Sequence, residues 1–287
     1  MSLPPIYFHY FQTPLPYVRT LGLQERLHAL QLAQRRLNAH KDILLLLQHR
    51  PVYTAGRRQS ADDPEVIQEE SRLTRLGADF VPTKRGGQIT YHGPGQIVGY
   101  PLLDLGRTTP PLGIRDYICK MQTMMRLHFR EAHDIPTVAS DNTGVFLDEH
   151  TKIASIGVQV RHRLTTHGFA FNVTPEPLAW FKQVVACGLA DVKAGCIAEA
   201  SQEFDADQVT VEGEIEGLVE RFGRVFGRDM EKLDVERGGE VEEAIAEVEE
   251  EAGRVGPWHT APELESPGLF QGIVEGATLA TAGQLIP

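Results

Sequence analysis

Cysteine is scarce: three residues in 287, at positions 119, 187 and 196. Three thiols make no disulfide framework in a chain of this size, so a reducing compartment is the expected setting. Long hydrophobic runs are missing too. No stretch reaches the 18 apolar residues of a membrane span, and the longest apolar block, ILLLL at 43–47, has the length of a buried strand. The opening MSLPPIYFHYFQ has neither the basic region and apolar core of a secretory signal nor the Arg- and Ser-rich character of a transit peptide. No long basic run occurs, and the formal net charge is −11. A nucleic-acid partner is not expected of such a chain, nor is a membrane. Short basic pairs, Arg57–Arg58, Lys84–Arg85 and Arg161–His162–Arg163, suit either scattered surface charge or an acidic protein partner.

What is present reads as α+β with a mixed sheet. Leu23, Leu27, Leu30 and Leu37 share a helical face over 21–39, and Ile114, Ile118, Met121, Met125 and His128 mark a second helix over 113–133. Ile215, Leu218, Val219, Phe222 and Phe226 mark a last one. Strand-like segments fall in groups, as in DFVPT, KIASIGVQV and THGFAFNV, and do not alternate strictly with helices. Residues 1–228 are therefore expected to form the main folded domain. Residues 229–287, first acidic and then rich in Gly, Pro and Ala, read as a partly disordered extension, with an exposed helix possible at VEEAIAEVEEEA.

The chemistry-bearing stretch is RGGQITYHGPGQIVG, residues 85–99. Its glycines interrupt a strand-like run, and glycine packs nothing and loses more entropy on ordering than other residues. Five of them imply a backbone that must come close to something. The spacing is neither a Walker loop nor G-x-G-x-x-G between strand and helix. The 11 histidines carry no H-x-x-x-H helix or C-x-x-C pair, so no metal is expected, and His49, His92 and His167 read as hydrogen-bonding residues. Cys119 lies on a helix, and Cys196 has no activating neighbour in sequence. Cys187 precedes a glycine that leaves room beside the sulfur; packing and reactivity both fit it on pattern alone. Lys152 opens the apolar strand KIASIGVQV, where exposure at a strand end is the simple account.

The run R-G-G-Q-I-T-Y-H-G-P-G-Q, residues 85–96, resembles the signature of the lipoyl(octanoyl) transferases, the lipoate-protein ligase B family. HRPVYTAGR around His49, KIASIGVQV, THGFAFNV and ACG at 186–188 resemble further family segments in the same order, over roughly residues 20–228. Ala186 departs from the family's proline, and Gly195–Cys196 stand where a Thr-Ser pair is typical. The resemblance implies a fold similar to biotin and lipoate protein ligases, with an acyl tunnel. It implies transfer of an octanoyl group from octanoyl-acyl carrier protein to a lysine of a lipoyl domain, in 2-oxoacid dehydrogenase complexes and glycine cleavage H protein, with no cofactor. Cys187 would carry the acyl group as a thioester, with Lys152 as its activator. Arg85, Gly86, Gly87, Gln88, Ile89, Thr90, Tyr91 and His92 would line the acyl site. Ser155, Ile156 and Gly157, with His167, Gly168, Phe169 and Ala170, would complete it. Gly93 and Gly95 would help keep the slot clear, and His92 would orient the carbonyl or a water.

The physics of such a relay is simple. A free thiol with pKa ~8.5 is only a few per cent thiolate near neutral pH. Lowering that pKa by two units needs about 2.7 kcal/mol, within the reach of one partly desolvated ammonium. Two alternatives on the same fold are an ATP-dependent lipoate or biotin ligase, which needs no cysteine, and a non-catalytic protein that binds acyl carrier or lipoyl domains. The family resemblance implies a mitochondrial setting if the source is eukaryotic, which the acidic tail favours, and a cytoplasmic one if it is bacterial.

Overall fold

The block ILLLL lies at the centre of the molecule, and its lack of alternation has a direct cause. In the computed structural model, which describes residues 3–60, 62–184, 191–201, 208–254 and 256–263, it falls in strand β2 (Asp42–Leu47), buried along its whole length. Leu44 and Leu46 enter one apolar cluster, while Ile43, Leu45 and Leu47 enter another on the opposite face. A strand covered on both faces needs apolar residues at every position.

The elements before the site follow in order: β1 (Ile6–Tyr10), α1 (Tyr17–Gln34), β2, β3 (Val52–Ala55), α2 (Pro64–Arg75), β4 (Asp79–Pro82), β5 (Thr90–His92) and β6 (Gln96–Leu102). Then come α3 (Ile114–His133), β7 (Val145–Asp148), β8 (Thr151–Arg161), β9 (Leu164–Asn172), α4 (Glu176–Phe181), β10 (Lys193–Ala194) and α5 (Ile197–Ala200). The chain closes with α6 (Val211–Phe226), β11 (Met230–Lys232) and α7 (Glu240–Arg254). The main sheet runs β10-β8-β9-β6-β2-β1-β11, with β7 also on β8; a second sheet runs β4-β3-β5. Pairs β8–β9, β9–β6 and β6–β2 are antiparallel, whereas β2–β1, β1–β11 and β10–β8 are parallel. The sheet is therefore mixed, as expected. Side chains of α3 and α6 pack in the first cluster, and those of α1 and α7 in the second.

Helix α1 starts four residues earlier than its leucines suggest, directly after Pro16, and ends in a 3-10 turn that leaves Leu37 exposed. Beyond residue 228 the expected boundary needs correction. Strand β11 pairs with β1 through Ile6, Tyr7 and Phe8. Helix α7 buries Val241, Ala244, Ile245, Val248 and Ala252 against the second cluster. Its glutamates face outward or pair with the body: Glu251 with Arg19, Glu247 with Arg26, and Glu242 with Lys41. The packed body thus runs through α7, and beyond it the Gly256 carbonyl accepts from Arg50 Nη1 at 2.9 Å and the Glu263 amide donates to the Leu76 carbonyl at 3.0 Å. The Glu251 and Glu247 pairs are exposed and worth about 0.2–1 kcal/mol each, whereas Glu242 is buried beside Lys41; the buried apolar stripe outweighs the exposed pairs. Ile245→Ala is expected to lower the unfolding free energy by about 2–4 kcal/mol, measured by urea denaturation. A loss under half a kcal/mol would mean that α7 is only loosely docked. No helix among the described residues is long and apolar enough to cross a membrane.

Candidate active site

Strands β8 and β9 carry the site. They pair so that Ser155 faces Ala170, Ile156 faces Phe169 and Gly157 faces Gly168. The loop at 85–87 folds over them, with the Gly86 amide donating to the Val158 carbonyl at 3.1 Å. That approach explains Gly157: a Cβ there would stand 3.0 Å from the Gly86 oxygen and 3.1 Å from Arg85 Cδ. Gly87 has φ +97, a left-handed conformation that glycine adopts without strain.

Between loop and strands lies a narrow slot of about 50 Å³. Twelve of the residues expected to bind substrate line it: Arg85, Gly86, Gly87, Thr90, His92, Ser155, Ile156, Gly157, His167, Gly168, Phe169 and Ala170. A smaller lobe, about 20 Å³, shares Thr90, Ser155 and Ala170 with it and leads to Lys152. Gln88 and Ile89 do not join the slot; they line a separate depression with Gln59 and Val184. Tyr91 borders only the smaller lobe. The physical reason is strand alternation. Thr90 and His92 point one way on β5, and Tyr91 points the other, stacking on Trp180 at 5.3 Å between ring centroids. Gly93 and Gly95 also lie outside the slot. A Cβ at Gly93 would meet the Tyr91 hydroxyl, and Gly95 turns the chain so that its carbonyl accepts from the Val173 and Thr174 amides.

Arg85 is buried, and its guanidinium donates to the Thr54 hydroxyl and carbonyl and to the Gly86 and Gln88 carbonyls. It staples the glycine loop in shape. The surrounding imidazoles are kept neutral at ordinary pH. Burial pushes His49 down to about 4, against the Leu15 carbonyl that accepts from it. Burial, with the Arg85 and Arg161 charges, takes His167 down to about 3. His92 falls well below its usual value through burial and then the nearby His49. Gln96 Nε2 donates to Asn172 Oδ1 at 2.8 Å, which leaves Gln96 Oε1 to accept from His92 Nδ1 at 2.7 Å. The His92 Nε2 therefore carries a lone pair. Asn172 continues the chain by donating to the Gly195 carbonyl at 2.9 Å.

Lys152 begins the site's other end. It is half-buried, with its ammonium 5.4 Å from the centre of the Phe146 ring. Among the described residues no carboxylate pairs with it, and none lines its lobe. Strand β10 lies beside it, Ala194 opposite Lys152, and Phe181, at the end of α4, borders the same lobe. Residues 185–190, Cys187 included, connect those two flanks and lie outside the described residues. Of the other thiols, Cys119 is exposed on α3. Cys196 is buried, and burial pushes it up to about 11, far from thiolate at neutral pH.

Several residues of the site escaped the sequence reading: Tyr17, Val98 and Tyr100 in the slot, Gln96 and Asn172 in the smaller lobe, and Gln24 behind them. Gln24 is fully buried on α1, and its Oε1 accepts from the His167 amide at 2.7 Å. His167 has φ +58, a left-handed conformation costing about 1–3 kcal/mol that surrounding structure must hold. A signal existed: Thr20, Gln24, His28 and Gln31 form a polar stripe beside the leucines of α1, at helical spacing.

A mixed sheet with a narrow slot between a glycine loop and two of its strands, running toward a lysine, defines an α+β ligand-binding domain. The chain belongs to the family of the lipoyl protein ligase A/B catalytic domain, whose model matches residues 16–222. It is 38% identical over 206 residues to the mitochondrial octanoyl-[acyl-carrier-protein]:protein N-octanoyltransferase of Danio rerio, covering 69% of this chain and 86% of that protein. It is 34% identical over 215 residues to a mitochondrial octanoyltransferase of Arabidopsis thaliana, covering 74% and 86%. An octanoyltransferase of Koribacter versatilis is 34% identical over 197 residues, covering 67% and 74%. Among solved structures, LipL1 of P. falciparum in complex with lipoate superposes with TM-score 0.59 at 12% identity, covering 86% of this chain and 71% of that one. A bipartite lipoate protein ligase of Thermoplasma acidophilum gives 0.57 at 12% identity, covering 92% and 100%. At such identities these structures share the fold.

Proposed function

We propose that this chain is an acyltransferase that moves an octanoyl group from octanoyl-acyl carrier protein to a lysine of a lipoyl protein, by way of a thioester on Cys187. The observation that carries the reading is the half-buried Lys152 ammonium, with no carboxylate on it among the described residues, at one end of a slot built from the expected acyl-site residues. The names of the relatives supply the substrate class.

In the first step the Cys187 thiolate attacks the donor's thioester carbonyl. The carrier's pantetheine sulfur leaves and takes a proton from Lys152. In the second step the acceptor lysine, uncharged, attacks the new thioester. Lys152 accepts a proton from that amine, and the Cys187 thiolate departs. His92, which lines the slot, would use its Nε2 lone pair to orient a water or the incoming amine. The octanoyl chain offers about six methylenes at ~0.8 kcal/mol each, so the slot supplies about 5 kcal/mol of binding. The thioester is already activated, so no nucleotide is needed. Acceptors would be lipoyl domains of 2-oxoacid dehydrogenase complexes and the glycine cleavage H protein, and the compartment the mitochondrion for a eukaryotic source.

Incubation with octanoyl-carrier protein, without ATP, tests this directly. Mass spectrometry of peptides is expected to find one octanoyl group on Cys187, removed by hydroxylamine and discharged by a lipoyl domain. Octanoylation of the acceptor that requires ATP and survives Cys187→Ser would instead make the chain a ligase.

A further inference from the structure

A second cluster of chemistry lies on the other side of the sheet, unrelated to acyl transfer. His128 and His133 occupy the last two turns of α3, and Glu214 the first turn of α6. All three are buried. Both imidazole Nε2 atoms stand 2.8 Å from the same carboxylate oxygen, Glu214 Oε2. The three donor atoms lie within 4.8 Å of one another, a convergence found once among the described residues. Around them the walls are aromatic, with Phe129 and Phe171 against the His128 ring at 6.1 and 5.6 Å between centroids.

The donor set is selective by its chemistry. Two imidazole nitrogens and one carboxylate oxygen suit zinc and its near neighbours in the first transition row. Magnesium and calcium ask for oxygen ligands, which are too few here. The Glu214 carboxylate is buried in an apolar setting, with both imidazoles turned to one of its oxygens. Such a charge is costly to bury without a cation.

We propose that His128, His133 and Glu214 form a binding site for a zinc-class divalent cation, which pins the end of α3 to the start of α6. On binding, each imidazole moves its proton from Nε2 to Nδ1 and gives the Nε2 lone pair to the metal. Tetrahedral coordination at about 2.0–2.1 Å separates ligand atoms by about 3.3 Å. The two Nε2–Oε2 distances, now 2.8 Å, lengthen by about half an ångström, and the two Nε2 atoms, no more than 4.8 Å apart, settle to the same separation. A water would fill the fourth position. The role is structural. His128 packs on Phe171 of β9, and the next residue back, Ala170, points to the opposite face and lines the acyl slot. The cation therefore braces the helices behind the slot and takes no part in its chemistry.

The test uses the full chain carrying Cys187→Ser and Cys119→Ser, which removes the exposed Cys119 thiol and the Cys187 thiol as competing ligands, after stripping with a chelator. Titration with cobalt(II) is expected to saturate at one equivalent with the visible bands of four-coordinate cobalt, and zinc to displace it and raise Tm. Magnesium should do neither. Glu214→Gln keeps an oxygen that accepts from both imidazoles, so it preserves the packing while removing the anion. It is expected to weaken cobalt binding by at least roughly tenfold, as is His128→Gln. Failure of the folded protein to bind cobalt, or unchanged affinity in a folded Glu214→Gln chain, overturns the proposal. Loss of cobalt binding leaves the Cys187 labelling test above unaffected, so the two readings fail separately.

Discussion

Lys152→Met is expected to lower octanoyl transfer by about 10³–10⁴-fold while leaving the fold intact. Methionine keeps the length of the stem, and the Phe146 ring that now faces an ammonium will face a thioether. On the proposed mechanism, what disappears is the charge that favours the Cys187 thiolate, together with the proton donor and acceptor of both steps. Removal of a positioned acid–base group costs about 10²–10⁴-fold, and the lost thiolate fraction adds to it. The two contributions can be separated. Lys152→Arg retains a cation but gives up no proton near neutral pH, so self-acylation by octanoyl-carrier protein should partly recover while discharge to the acceptor lysine does not. The Cys187 thiol, followed by its alkylation rate against pH, should titrate higher in Lys152→Met than in Lys152→Arg. Lys193, exposed on β10 and bordering the same lobe, is the control: Lys193→Met should cost less than tenfold. Equal losses for the two lysines would reduce Lys152 to one part of a diffuse positive field.

How far this site could be read from residues alone depended on which physical signal each part carries. The glycine loop announced itself, because glycine in a strand has a cost that something must offset, and Gly157 and Gly87 both meet a close approach or a left-handed turn. Strand alternation then decided the details that a contiguous motif cannot. Thr90 and His92 reach the slot, whereas Tyr91 lies under Trp180 and Gln88 and Ile89 face elsewhere. Helix α7 was misjudged for a different reason. Its glutamates dominate the composition, yet Val241, Ala244, Ile245, Val248 and Ala252 recur at helical spacing and form the buried stripe. Composition averages over faces, and a surface helix has two of them. Tyr17, Tyr100 and the pair Gln96–Asn172 gave little warning, since each is an ordinary polar residue until the fold turns it inward, whereas Gln24 belongs to the polar stripe of α1. The cluster of His128, His133 and Glu214 closes across 81 or more positions of sequence, a distance no local spacing rule can span. The role proposed for Cys187 comes from family resemblance, since on pattern alone a packing role suited it better.

Ala170→Leu is expected to convert the chain from an octanoyl to a short-acyl transferase. Ala170 is the small side chain common to both lobes, opposite Ser155 on β8 and Val98 on β6. Three added carbons at that junction close the way from Lys152 to the wall of Tyr17, Tyr100 and Phe169. Excluding three or four methylenes from the far lobe forfeits about 2.5–3 kcal/mol, which is about 10²-fold in kcat/KM for octanoyl-carrier protein. A butanoyl donor never reaches that lobe, so its kcat/KM should change by less than about threefold. The order of preference therefore inverts, and inversion separates blockage from damage. Leucine also crowds the cluster that holds Leu45 and Tyr100, at a cost of about 1–3 kcal/mol in stability that a melting curve will register. Damage of that kind lowers the rate for every donor alike. If octanoyl and butanoyl fall by the same factor in the folded variant, the acyl chain does not pass Ala170, and the slot behind the glycine loop is not where it lies.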